Sequence, residues 1–226
     1  MVGGCGMSQV VGAVSNGRVR QVAAGVALGI GVYVLLDIVL QLLPPHYSPI
    51  RQAESDMGVG PYGWLMDLNF LLRGAVSMGT AWLLARLFPA GQAPRFGLGA
   101  IWTFGIGSAI LAFFPTDILD DRRLVPNPVP TVHGEVHLVV AALAFIAVAL
   151  GMLIVAFALS RSPALAAARP LAIALAVLAA LALLALRPMT SHHAGGLPER
   201  LFLGLSLLWM FVLAVRARHA QGAVAP

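Results

Sequence analysis

Six apolar stretches divide this chain, at about 20–43, 62–86, 97–115, 132–160, 169–187 and 198–216. Each approaches or exceeds the ~20 residues that a helix needs to cross the hydrocarbon core of a bilayer. In lipid every backbone N–H and C=O must find its partner inside the chain, so segments of this length are expected to be helical. The expected fold is all-α: a six-helix transmembrane bundle over residues 18–218. A disordered N-terminal tail (1–17) and a short C-terminal tail (219–226) flank it. The charged fraction supports this, at 10% against about 25% in a soluble domain. Glycines at 25, 29 and 31 give the first stretch a small-residue face for close helix contact. Cys5 is the one cysteine, which excludes an internal disulfide and a cysteine metal cluster.

Arginine placement sets the expected orientation. With the N-terminus in the cytoplasm, Arg18, Arg20, Arg86, Arg95, Arg161, Arg169, Arg216 and Arg218 fall on the inner side with no acidic residue. The outer side then receives Arg51, Arg122, Arg123, Arg187 and Arg200 against Glu54, Asp56, Asp117, Asp120, Asp121, Glu135 and Glu199. Positive residues favour the cytoplasmic side, so both termini are expected inside, in a cell (plasma) membrane. The net charge of +5 is then a topology signal, and nucleic-acid binding loses its support. The opening "MVGGCGMSQVVGAVSNGRVR" has late arginines and no Ala-x-Ala cleavage site, so it reads as a tail and not as a signal peptide. All 14 basic residues are arginines, a bias expected of a high-GC bacterial genome.

The polar chemistry gathers on that outer side. Its connections read "PPHYSPIRQAESDMGVGPYG", "FPTDILDDRRLVPNPVPTVHGEVH" and "RPMTSHHAGGLPER", whereas the inner ones read as plain linkers. Five of the six histidines and seven of the nine carboxylates fall in or beside these three segments. Loops held by a rigid scaffold commonly carry function, and six helices can bring all three segments to one rim.

Within them, His133 and His137 are four residues apart and share one helix face, a spacing that can close on a single metal. Helix four, at roughly 44 Å, is longer than the ~30 Å core, which leaves its first turns in the headgroup zone. Glu135 points away from both imidazoles. His46 and Asp117, each beside a proline, are the candidates to complete a His-His-His-Asp zinc site. Zinc there could activate a water against a lipid ester, amide or phosphoester, with Ser48 or Asp56 stabilising an oxyanion or shuttling a proton. A bis-histidine haem would need ligands facing each other from opposite helices, and no second deep histidine is present. The plainer alternative is that the histidines meet lipid headgroups or each other and Asp117 caps a helix.

Asp37, Asp67 and Arg73 are ionisable residues inside apolar stretches, and such residues are functional candidates because they are costly unless paired. Asp37 is the expected partner of Arg73, with Asn69 adding a hydrogen bond. Either the pair locks helices one and two, or it floors a polar cavity. In "GGLPER", Pro198 and Glu199 suit the first turn of helix six, leaving Arg200 for a carboxylate of another loop or a lipid phosphate. Arg51, Asp37, Arg73, Glu199 and Arg200 form a second candidate group, substrate-binding or structural.

The run "SPIRQAESDMGVGPYGWLMDLNF", followed by "FPTD", "HGEVH" and "GGLPERLF", resembles the domain-of-unknown-function 998 family of prokaryotic membrane proteins. The resemblance covers about residues 25 to 215 and implies a six-helix integral membrane protein without naming a reaction. A looser similarity is to the CREST group of membrane hydrolases, which set a Ser, an Asp, one His and an H-x-x-x-H pair around zinc. Here Ser48, Asp117, His46, His133 and His137 supply those ingredients, although CREST proteins have seven core helices and carry the pair on the last. Two functions are thus expected. One is a metal-dependent hydrolase or transferase acting on a lipid or lipid-linked substrate at the outer leaflet. The other is a non-enzymatic transporter or accessory subunit whose outer loops form a structural polar cap. Membrane lipids are the expected partners in both.

Overall fold

The computed structural model describes residues 5–118, 129–190 and 194–220, with side chains from 17 onward except at 190. Asp120, Asp121, Arg122, Arg123, His192 and His193 lie outside the described residues. Six long helices account for most of the rest: α1 (Cys5–Leu42), α2 (Gly63–Leu87), α3 (Arg95–Leu111), α4 (Val132–Ala158), α5 (Arg169–Thr190) and α6 (Gly196–Ala220). Each packs on its neighbours in sequence, and α6 returns against α1, which closes a ring; α6 also touches α2 and α4 across it.

Five helices are long and apolar enough to cross a membrane: Gly17–Leu42, Gly63–Leu87, Val132–Arg161, Ala166–Met189 and Gly196–Ala220. α3 is apolar but has 17 residues, or roughly 26 Å, the short end of the spanning range. It stops at Leu111, short of the expected 115, because Pro115 disfavours helix in the residue before it. α1 is described from Cys5, upstream of the tail boundary expected at 17, while its span-length apolar part starts at Gly17.

Large apolar side chains point both ways. Trp209, Phe104, Phe202, Leu83 and Met152 are fully buried, whereas Leu28, Leu35, Leu143 and Leu184 are exposed on the outer flank. Apolar residues all round a helix are what a lipid solvent selects. Helix contact in lipid depends on small residues that let backbones approach, and here these sit mostly on α3. A Cβ at Gly105 would lie 3.0 Å from the Gly74 carbonyl of α2, and one at Gly107 2.9 Å from the Ala144 Cβ of α4. In α1 only Gly29 of the expected face packs this way, against Val76; Gly25 and Gly31 face open space.

Buried hydroxyls satisfy themselves locally. Ser77, Thr80 and Ser206 each donate to the carbonyl one turn back. At the end of the ring where α1 starts and α6 finishes, Ser162 Oγ donates to the Leu87 carbonyl at 2.7 Å, tying the connection after α4 to the end of α2. The opposite end gathers residues 43–62, 112–118, 129–131 and 194–195, and the candidate site is built there.

Candidate functional site in an amphipathic cavity

The segment after α1 folds inward. A turn over Ser48–Gln52 is closed by Gln52 N–H donating to the Ser48 carbonyl (2.9 Å) and by Ser48 N–H donating to Gln52 Oε1 (2.7 Å). A single 3-10 turn follows, Glu54–Gly58, with Glu54, Asp56 and Met57 buried. Two close contacts dock this segment. Arg200 Nη1 donates to the carbonyls of Gln52 (2.6 Å) and Pro49 (3.3 Å), and Leu197 N–H donates to the Ile50 carbonyl at 3.1 Å. Gly196 lies directly against the Gln52 backbone, with no room for a Cβ. The "GGLPER" stretch therefore grips the first loop by its main chain. Arg200 binds backbone carbonyls through Nη1, while its Nε and Nη2 have no hydrogen-bond partner.

Arg73, 2% exposed, is held beneath this turn. Its Nε donates to Ser108 Oγ at 3.0 Å and its Nη1 to the Tyr33 hydroxyl at 3.4 Å, while the guanidinium lies over the rings of Phe70 (5.1 Å) and Phe104 (5.5 Å). Tyr33 in turn donates to a Glu54 carboxylate oxygen. The charge on Arg73 is thus relayed to a carboxylate of the loop through a tyrosine. The pairing with Asp37 expected from the sequence does not form: Asp37 Oδ1 has no hydrogen-bond partner, and Asp37 sits in the field of Glu54 and Arg200. Asn69 Nδ2 donates to the Tyr33 carbonyl at 3.3 Å and not to Arg73. Tyr33, Glu54 and Ser108 were missed as site residues, since a lone hydroxyl in an apolar span gives no local pattern.

The expected metal ligands separate. His137 is buried and lines the cavity described below; its Nδ1 lies 2.6 Å from the Phe114 carbonyl. A carbonyl only accepts, so Nδ1 carries the proton and Nε2 of the neutral ring keeps its lone pair. His133 is exposed and rests on the Phe114 ring, 5.7 Å between centroids. His46 is exposed with a backbone φ of 63°, and neither it nor His133 lines the cavity. Asp117 Oδ2 accepts from Thr131 N–H (2.7 Å) and Oδ1 from Thr131 Oγ1 (2.9 Å). Thr131 Oγ1 accepts from Gly134 N–H (3.1 Å), making it the N-cap of α4. Among the described residues, no three His, Cys, Asp or Glu side chains are grouped to hold a metal ion. Both Asp117 oxygens serve the helix cap, and among the described residues His137 is the imidazole that lines the cavity.

This cap is testable. Asp117→Ala and Thr131→Ala are each expected to cost about 1 kcal/mol of stability, the usual worth of an N-cap. Unfolding of the two single variants and the double variant in detergent checks it. A double variant no worse than either single would show the two side chains acting as one unit.

Ser48 sits at the outer turn, where its Oγ accepts from Arg51 N–H at 3.4 Å, and it does not line the cavity. Tyr47, beside it, donates its hydroxyl to the Val59 carbonyl; burial and the nearby Asp56 carboxylate push this phenol above its ordinary pKa. It therefore stays a neutral donor.

Between loop and helices lies a cavity of about 560 Å³. Its polar lining is Arg51, Ser55 and Asp56 of the loop, Arg73 of α2, Thr116 and Asp117, Glu135 and His137 of α4, and Glu199 of α6. Its apolar lining is Phe70, Leu111, Leu138, Ala141, Ala142, Phe145 and Leu186. Leu138 and Ala142 are exposed and adjoin Val139 and Leu143 on the outward flank of α4. Glu199 is 8% exposed and lines this cavity.

No curated protein and no solved structure matches this chain. One family model does, that of the Protein of unknown function (DUF998), over residues 27–216. That range contains the loop grip, the Arg73 relay, the α4 cap and every residue lining the cavity. This six-helix integral membrane protein belongs to the DUF998 family.

Proposed function

We propose that the protein binds a membrane lipid or lipid-linked molecule in this cavity, with the head among the polar residues and the chain along α4. The observation that carries the reading is a lining of two chemistries, with Asp56, Arg73, His137 and Glu199 alongside Leu138, Ala141, Ala142 and Phe145. Ligand sites are concave, mainly apolar and furnished with a few convergent polar groups, and an amphiphile matches both kinds of lining. The arginine distribution supports a site on the extracytoplasmic side of the membrane, with both termini inside.

Retention or transfer of the bound molecule follows from binding alone. An enzymatic version would use His137 Nε2 as a general base, the one imidazole nitrogen with a free lone pair among the described residues lining the cavity. The metal-dependent hydrolase over His46, Asp117, His133 and His137 would require those groups to converge. Stoichiometric zinc, lost in both His133→Ala and His137→Ala, would be the finding in its favour.

Binding is tested by native mass spectrometry of protein taken from membranes in a mild detergent. One lipid-mass adduct per chain is expected. Ala142→Trp puts a large ring on the apolar wall and is expected to reduce adduct occupancy at least fivefold with unchanged melting. Equal occupancy in the variant would count against the cavity as the site.

A further inference from the structure

We infer that the cavity takes its lipid sideways out of the bilayer, through a cleft between α4 and α5 at the site end of the bundle. It holds the head and the first part of a chain, while the rest of the chain stays in the membrane. This rests on the lipid-binding reading above and names the class of molecule: membrane-resident lipids sorted by head and not by chain length.

The two helices close on each other at one end and part at the other. In the first half of α5, Ala172, Ala176 and Ala179 are buried beside Leu175, and small residues of this kind let helices approach in lipid. At corresponding depth on α4, Val148, Ala149, Met152 and Val155 are buried too. Beyond Ala179 the pattern stops: from 180 to 189 no residue of α5 is buried. Over the matching first turns of α4, Leu138 and Ala142 line the cavity and are nevertheless exposed. Leu186 brings α5 into the same lining. The other flank of α4 is shut, since a Cβ at Gly107 of α3 would lie 2.9 Å from the Ala144 Cβ. The cavity therefore opens on the bilayer along the α4–α5 side, next to the exposed Val139, Leu143 and Leu184.

A chain cannot continue inward from this cavity. Phe145 is the deepest α4 residue of the lining, and its ring packs on the buried Phe202 and Phe104, with centroids 4.9 and 6.4 Å away. From Leu138 to Phe145 the helix rises roughly 10 Å, whereas a chain in one leaflet fills about 15 Å, half of the ~30 Å core. The volume of about 560 Å³ suits a drug-sized ligand and is smaller than a two-chain phospholipid. A lipid anchored by its head among the polar residues thus runs out of enclosed wall, and its chain leaves through the cleft. Methylenes beyond that point remain in hydrocarbon whether the lipid is bound or free, so they add nothing to binding. Selection falls to the polar lining.

The test uses the full chain in nanodiscs of phosphatidylethanolamine and phosphatidylglycerol, each an equimolar mixture of fourteen-, sixteen- and eighteen-carbon species. Retained adducts are read by native mass spectrometry. One lipid per chain is expected, with the three chain lengths of a given head within twofold of one another. Enrichment of the shortest chain more than fivefold would reveal an enclosed chain site and overturn the inference, while the lipid-binding reading would stand. The route is tested by bridging the cleft. In a Cys5→Ser background, Leu138→Cys is joined by a bis-maleimide to Leu183→Cys, a half-buried position on the parted half of α5. Exchange of bound for isotopically labelled lipid is expected to slow at least tenfold relative to the same variant unbridged. Unchanged exchange would overturn the sideways route. If the wild type retains no lipid at all, the lipid-binding reading fails as well.

Discussion

Replacing Arg73 with alanine is expected to lower stability by about 3–5 kcal/mol, the range found when one partner of a buried charged network is removed. The side chain is 2% exposed and joins three helices, through Ser108 on α3, Tyr33 on α1 and its own place on α2. Its loss leaves Tyr33 and Glu54 with one cation fewer beside them, in a setting that already holds Asp56 and Glu199. It also removes a cation resting on Phe70 and Phe104. Arg73→Lys is expected to recover less than half of the deficit, because an ammonium lacks the planar fork that serves two acceptors at once and stacks on aromatic faces. Denaturant titration in a fixed detergent measures both variants. An alanine variant within 1 kcal/mol of wild type would mean that the relay contributes little to the fold.

Gly196→Ala is the second large effect, expected at about 2–3 kcal/mol, the upper part of the range for overpacking a tight contact. A Cβ there collides with the Gln52 main chain, so either α6 or the docked loop must move. The loop is the softer element, and its movement breaks the Leu197–Ile50 and Arg200–Gln52 hydrogen bonds. Arg51 is exposed and lies inside that loop, which provides a direct readout. Trypsin should cut after Arg51 several times faster in the variant than in the wild type. Gly204→Ala, on the same helix with nothing within 4 Å of the added carbon, should be neutral or gain up to ~1 kcal/mol from helix propensity. Equal trypsin rates for Gly196→Ala and wild type would remove the grip from the account.

The helical fold was legible in the sequence because lipid leaves the backbone few choices. Apolar runs of spanning length have to be helices, and the six found are the six expected. The gathering of polar residues was legible too, since helices that alternate in direction return residues 43–62, 112–118, 129–131 and 194–195 to one end. Partnerships were harder to read. Spacing put His133 and His137 on one side of α4, but the packing of Phe114 and Phe70 placed His133 outside and His137 in the wall. Asp37 was the natural acid for Arg73 by depth alone, yet Tyr33 stands between Arg73 and a loop carboxylate. That link depends on the 3-10 turn at Glu54–Gly58 folding back into the ring, which no periodicity signals. The same fold-back explains why Gly196 is needed: Gly195-Gly196 looks like loop freedom in the sequence, and Gly196 proves to be a close backbone contact.

The polar and apolar lining residues make one claim together, that a lipid's head and chain are held at known residues. A photoreactive lipid carrying a diazirine in its acyl chain, incorporated into nanodiscs with the protein, tests it most directly. Cross-linked peptides mapped by mass spectrometry should concentrate on Leu138, Ala142 and Phe145 of α4 and on Leu186 of α5, and excess unlabelled lipid should suppress them. Labelling spread evenly over outward-facing positions such as Leu28, Leu35 and Leu184, with no saturable component at the cavity, would contradict the account.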